Sequence, residues 1–222
     1  MSKSTIVLTG SSLTVEALMR VAHGAPIALG KSARAEMLRS SEWLAEQGPV
    51  SILGQKMGWL SGEEIGADDD ALVSPFILSH CAGVGKPLPT AVVRALIAAR
   101  VNVLATGLTG CRPAVADVFI QAVNENEIPV VPSQGSVGAA GSAPLAHIVD
   151  GLFLNGSAVV LRGSEALALI NGSTLATVLG AFAVHRATRC LAVAVAATAL
   201  TMEVVRADTA ALTAQPTGAR SE

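Results

Sequence analysis

The chain has 222 residues, enough for one domain, or at most two small ones, with a core that needs no disulfide or metal support. It is 51% hydrophobic and only 14% charged, which excludes a disordered chain. The formal net charge is −2, aromatic residues make up 3% and tyrosine is absent, so neither phosphate neutralisation nor base stacking is supported and no nucleic-acid partner is expected.

A mean hydropathy of +0.54 is high for a soluble monomer. The longest apolar tract, Leu191 to Leu200, falls short of the roughly 20 residues that span a bilayer. Joining it to Ala176–Val184 would put His185 and Arg186 at mid-span. No membrane partner is therefore expected. The apolar surface points instead to large helical interfaces in an oligomer. Cys81, Cys111 and Cys190 form no CxxC pair, which suits a reducing compartment. The start MSKSTIVLTG lacks the apolar core of a secretion signal, so the expected address is cytoplasmic.

In chain order, Thr5–Leu8 reads as a short strand ending at Gly10. A helix follows, capped by Thr14, with Val15, Leu18, Met19 and Ala22 on one face. Residues 32–47 read as a second amphipathic helix. Residues 48–72 are punctuated by glycines and by Asp68-Asp69-Asp70, an acidic run read as a solvated loop. Thr90 is expected to cap a helix over Ala91–Ala105 that Gly107 ends. Pro113 suits the first turn of a helix to Glu125. Ile128–Val131 reads as extended. Gly151–Leu161 reads as a hairpin around Asn155-Gly156. Ser164 starts a helix that Asn171-Gly172 interrupts, and a long helix runs from about Ser173 to Arg206. The tail from Thr209 to Glu222 is polar and small. The organisation expected is a mixed part over residues 1–162, bundle helices over 163–208 and a loose tail over 209–222.

Between Ser133 and Pro144 lies a loop with Gly135, Gly138 and Gly141 three apart. This is neither the GxGxxG dinucleotide fingerprint nor a P-loop, and Gly-Ser-Val-Gly is not a nucleophile elbow. By spacing alone it is a tight loop whose glycines permit positive φ and close packing.

The residues around it carry more. PSQGSVGAAGSAPLAH resembles the histidine and phenylalanine ammonia-lyase signature GSVGASGDLAPLAH. Ser79 to Leu88 (SHCAGVGKPL) resembles that family's SHAxGVGxPL. Val93-Arg94-Ala95 and Arg100 to Ala105 resemble its VRA and RxNxLA helix. Gly107-Leu108-Thr109-Gly110 is similar to its GxSG, and Ile170 to Ser173 to its LNGT. Leu8 to Glu16 is similar to its opening. The motifs run in family order from residue 8 to residue 173.

The resemblance implies a mainly α fold like the aromatic amino acid lyases, with a small N-terminal α/β part and long bundle helices. Family members are usually more than twice as long, so it covers their N-terminal half. It implies a partner chain resembling the C-terminal half, a hetero-oligomer and a small-molecule substrate.

Two departures stand out. The family forms a methylidene-imidazolone group from Ala-Ser-Gly, whose serine loses water. Here the triplet is Ala139-Ala140-Gly141, and Ala140 has no hydroxyl to lose. No such group is therefore expected. Ser142 would substitute only if the Ala143 nitrogen closed the ring, against the hindrance of its Cβ. The family's VYGxNTGFG tyrosine also corresponds to Ser51 here.

By resemblance, His80 and Ser51 are the catalytic candidates. Asn171, Gly135, Ser136, Gly138, Ala139, Ala140 and Gly141 are the candidate substrate contacts, and no metal ligand set is expected. The bland alternatives are a hydrogen-bonded core histidine for His80 and a turn residue for Asn171. His147, His23 and His185 read as structural, surface and bundle histidines. The function expected is a split, two-chain lyase relative carrying out elimination, addition, isomerisation or cyclisation without the imidazolone. The alternatives are a non-catalytic structural or regulatory subunit, or a lyase whose electrophile lies on another subunit.

Overall fold

A computed structural model describes residues 4–46, 70–138 and 141–212. Strand β1 (Ile6–Leu8) feeds helix α1 (Val15–Ala22), and β2 (Ile27–Leu29) returns parallel to β1 with Ile6 opposite Ile27 and Leu8 opposite Leu29. Thr14 caps α1, its Oγ1 accepting from the Ala17 N–H at 3.2 Å. The α1 face bearing Leu18, Met19, Val21 and Ala22 is buried.

The other helices are α2 (Lys31–Glu46), α3 (Asp70–His80), α4 (Thr90–Leu104), α5 (Pro113–Glu125), α6 (Ser142–Val149), α7 (Gly163–Ile170) and α8 (Thr174–Val204). Helix α4 is the centre of the core. Val93, Ala95, Leu96, Ile97, Ala98, Val101 and Leu104 are all buried, so the helix is apolar nearly all round. Helix α4 packs against α1 on one side and α5 on the other.

Side-chain amides finish the edges. Asn124 of α5 accepts from the Ile27 N–H (2.8 Å) and donates to the Ile27 carbonyl (3.0 Å). Asn102 of α4 does the same for Gly10, at 3.1 and 3.2 Å. Each amide supplies the donor–acceptor pair that a further strand would have offered.

A second pair, β3 (Val84–Pro87) and β4 (Pro132–Gln134), is antiparallel and irregular, with Val84 opposite Gln134 and Pro87 opposite Pro132. It joins the segment after His80 to the start of the glycine-rich loop.

Two local expectations are corrected, at Thr90 and at Gly151–Leu161. Thr90 is the first residue of α4 rather than its cap. Pro89 holds the cap position and offers no side-chain bond. Ile128–Val131, read as extended, leads into the strand Pro132–Gln134, and the Val131 carbonyl accepts from the Leu88 N–H at 2.8 Å. The hairpin over Gly151–Leu161 is absent. Asp150–Leu154 continues α6 as a π-helical turn, which buries Phe153 edge-on against Phe119 at 5.2 Å. Asn155 then folds back, donating to the Asp150 carbonyl at 3.0 Å.

The chain divides into two compact units, Met1–Phe182 and Ala183–Glu222. In the first, Thr174, Leu175 and Val178 of α8 are buried. In the second, Val184, Leu191, Val193, Val195, Leu200 and Val204 are all more than half exposed. The stretch Gly163–Val204 is long and apolar enough to cross a membrane by length and composition alone. The tail expectation is described only as far as a 3₁₀ turn at Ala210–Leu212, and the residues after it lie outside the described residues.

Candidate functional site

The motifs converge at the junction between the glycine-rich loop and the start of α8. Gly141, immediately before α6, donates its N–H to the Gly172 carbonyl at 2.9 Å. A Cβ added to Gly141 would stand 3.0 Å from that oxygen, so only glycine closes the junction this tightly. Asn171 sits between α7 and α8, exposed, its N–H donating to the Leu167 carbonyl at 3.1 Å.

Next to this junction opens a cavity of about 500 Å³. Leu13, Leu18, Val103 and Val178 supply apolar wall. Arg100, Asn171, Ser173, Thr174 and Thr177 supply polar wall. Arg100 is 5% exposed, and among the described residues its Nε has no hydrogen-bond partner. Burial pushes the Arg100 guanidinium below the usual arginine value. A Cβ added at Gly172 would lie 3.2 Å from Arg100 Nη1, so the guanidinium reaches the Asn171-Gly172 turn.

His80 ends α3, half-buried. Its Nδ1 lies 2.8 Å from the Phe76 carbonyl and 3.2 Å from Ser79 Oγ, and its ring packs edge-on to Phe76 at 4.7 Å. The carbonyl contact requires a proton on Nδ1. His80 does not line the cavity.

His147 of α6 accepts the Gly83 N–H on Nε2 at 3.1 Å. Burial lowers its pKa, with Asp150 opposing, which favours the neutral ring this bond needs. A Cβ on Gly83 would come within 2.8 Å of that nitrogen, and one on Gly135 within 3.0 Å of Gly83 Cα. His147 is thus a structural clamp between the segment after His80 and the glycine-rich loop.

Within the loop, Gly135 and Gly138 have φ of +130° and +80°, and Ser136 Oγ accepts from the Gly138 N–H at 3.3 Å. Gly135, Ser136 and Gly138 do not line the cavity either. Ser51, Ala139 and Ala140 lie outside the described residues, as do Asp68 and Asp69. Among the described residues no group of three or more His, Cys, Asp or Glu side chains is placed to hold a metal ion. The structure therefore unites Gly141 with Asn171 and Gly172, and adds Arg100, which sequence reasoning had noticed only as part of a motif.

Residues 13–221 match the model of the aromatic amino acid lyase family. This chain belongs to that family. It is 38% identical to a probable histidine ammonia-lyase of Halobacterium salinarum, over 95% of this chain and 45% of that protein. The histidine ammonia-lyase of Treponema denticola is 36% identical, over 93% of this chain and 46% of that protein. The crystal structure of the Trypanosoma cruzi histidine ammonia-lyase superposes with a TM-score of 0.81 at 28% identity, covering 94% of this chain and 46% of the other. The chain thus spans about 45% of the length of the curated relatives it matches. The fold is mainly α and lyase-like.

Proposed function

We propose that this chain is one half of a two-chain aromatic amino acid lyase homologue, whose second chain resembles the C-terminal half of the family. The observation that carries this reading is the outer part of α8. Leu191 and Val193, 66% and 69% exposed, belong to an apolar stretch that water leaves uncovered at high cost. His185, Arg186 and Arg189 interrupt the same helix, which favours cover by protein over cover by lipid. The assembly is a cytoplasmic hetero-oligomer.

The residues do not fit the methylidene-imidazolone group. Position 140 carries no hydroxyl, and the Gly141 N–H is held by the Gly172 carbonyl. The chemistry is then elimination, addition, isomerisation or cyclisation of a small amino-acid-like substrate without that electrophile. His80 is the proton-transfer candidate and Ser51 a hydrogen-bonding one. Asn171 and the loop from Gly135 through Ser136, Gly138, Ala139 and Ala140 to Gly141 orient the substrate. The partner supplies the remaining acid–base groups. The lack of a triplet serine and of any tyrosine favours one other reading, a structural or regulatory subunit without its own chemistry.

Denaturing intact-mass measurement of the complex from its native cell tests the assembly. A second chain in fixed stoichiometry is expected, and this chain alone, or a single longer chain, would refute the two-chain reading. Substituting His80→Ala in the assembled complex then separates enzyme from scaffold. Lost turnover supports catalysis, whereas unchanged turnover removes His80 from the mechanism.

A further inference from the structure

The cavity beside α8 is lined by a buried cation, Arg100, with no carboxylate beside it in that lining among the described residues. Arg100 is 5% exposed, projects from a helix whose neighbours are apolar, and its Nε finds no acceptor among the described residues. A buried guanidinium nitrogen without an acceptor is costly unless something arrives to satisfy it. Among the described residues, no Asp or Glu lines the cavity. The amide of Asn102 is occupied by Gly10, and Thr14 Oγ1 by the Ala17 N–H. The wall therefore offers a cation, but nothing in it neutralises that cation.

We infer that this cavity binds a small monocarboxylate with an aliphatic body, its carboxylate on Arg100 and its chain along Leu13, Leu18, Val103 and Val178. Three features select this class. A planar guanidinium fork matches a carboxylate in bidentate geometry. Among the described residues Arg100 is the only cationic side chain in the lining, too little for a phosphate dianion. The volume, about 500 Å³, lies within the range of small-molecule pockets, roughly 300–1,000 Å³. Thr177 and Asn171, both exposed, stand at the opening. The inference does not rest on the two-chain reading, because a single chain supplies every wall.

Calorimetric titration tests it, using the purified protein with whatever chains accompany it and hexanoate as the probe. Saturable binding is expected, with no binding of hexanamide and none of inorganic phosphate. Arg100→Gln is expected to weaken hexanoate by roughly tenfold or more, and Arg100→Lys by less, because the fork is lost but the charge remains. Thr177→Trp narrows the opening without touching Arg100, so it provides a second loss-of-binding variant if Arg100→Gln fails to fold. Equal binding of hexanamide, undiminished binding by a folded Arg100→Gln protein, or no binding at all would overturn the inference. So would a complex that refuses hexanoate but needs Arg100 to assemble, since a partner carboxylate would then own the site.

Discussion

Two arginines six residues apart on α4 are equally buried, each 5% exposed, and have opposite surroundings. Arg94 donates from Nε to the Val21 carbonyl (3.1 Å), and from Nη1 to the Val123 carbonyl (2.8 Å) and Asn126 Oδ1 (2.9 Å). Its Nη2 reaches the Ala25 carbonyl at 3.4 Å. These acceptors lie where α1 and α5 end, so one cation adds donors to the last carbonyls and meets the negative ends of two helix dipoles. Arg100 has the same burial, and among the described residues its Nε has no acceptor. Burial alone therefore does not separate a scaffold cation from a binding one, whereas an account of donors and acceptors does. A third arginine shows the other way to settle a charge. Arg112 meets the Glu165 carboxylate from its backbone N–H (3.0 Å), Nε (2.8 Å) and Nη2 (2.7 Å).

The largest effect is expected at that pair. Glu165 is 1% exposed and also accepts the Arg162 N–H at 3.0 Å. Glu165→Ala removes the carboxylate that the Arg112 N–H, Nε and Nη2 share, although Nη2 keeps the Val160 carbonyl at 2.6 Å, and should cost about 3–5 kcal/mol, read from urea unfolding. Burial pulls the Glu165 pKa up, but the hydrogen bonds from Arg112 and Arg162 outweigh it and hold the carboxyl below its usual range. A depressed folded pKa stabilises above the unfolded value and loses that contribution as pH falls through the folded one. The wild-type protein should therefore lose stability on the acid side of the ordinary carboxylate range. The gap to Glu165→Ala should close there, and a gap unchanged down to that range would show that the carboxylate charge is not what the pair contributes.

Next in size is Arg94→Met. Val21 and Val123 keep other donors, from the Gly24 and Asn126 N–H groups, so the carbonyls are weakened rather than orphaned. The expected loss is about 2–3 kcal/mol. A loss near zero would mean that these bonds do not hold the helix ends together, and the contrast with Arg100 would fail.

How much of this was legible in the sequence depended on whether the signal was local. Thr14 before an apolar period, and Pro113 at a helix start, state their roles within a few residues, and both elements stand where they were read. The region after α6 misled because Asn155-Gly156 is a strong turn signal. What decided it was non-local, the burial of Phe153 against Phe119. Similarly, β4 is fixed by its partner β3 and not by its own sequence, which contains Pro132. The family motifs of the candidate site were visible as separate strings, but the bond from Gly141 to Gly172 joins residues 31 apart and has no sequence signature. Arg94 and Arg100 both looked like charges in an apolar helix, and only the acceptors around them tell them apart.

The smallest effect is the most discriminating. Arg100→Met removes a buried guanidinium whose Nε has no acceptor among the described residues and fills the space with an apolar chain of similar length. Unlike Arg94→Met, it breaks no Nε hydrogen bond among the described residues, so stability should change by no more than about 1 kcal/mol in either direction. Urea midpoints measured side by side for both variants give the comparison. If Arg100→Met costs as much as Arg94→Met, Arg100 has an internal partner and the two arginines are alike. If it costs nothing, hexanoate should raise the unfolding midpoint of the wild-type protein and leave that of Arg100→Met where it was, because a ligand stabilises only the state that holds it.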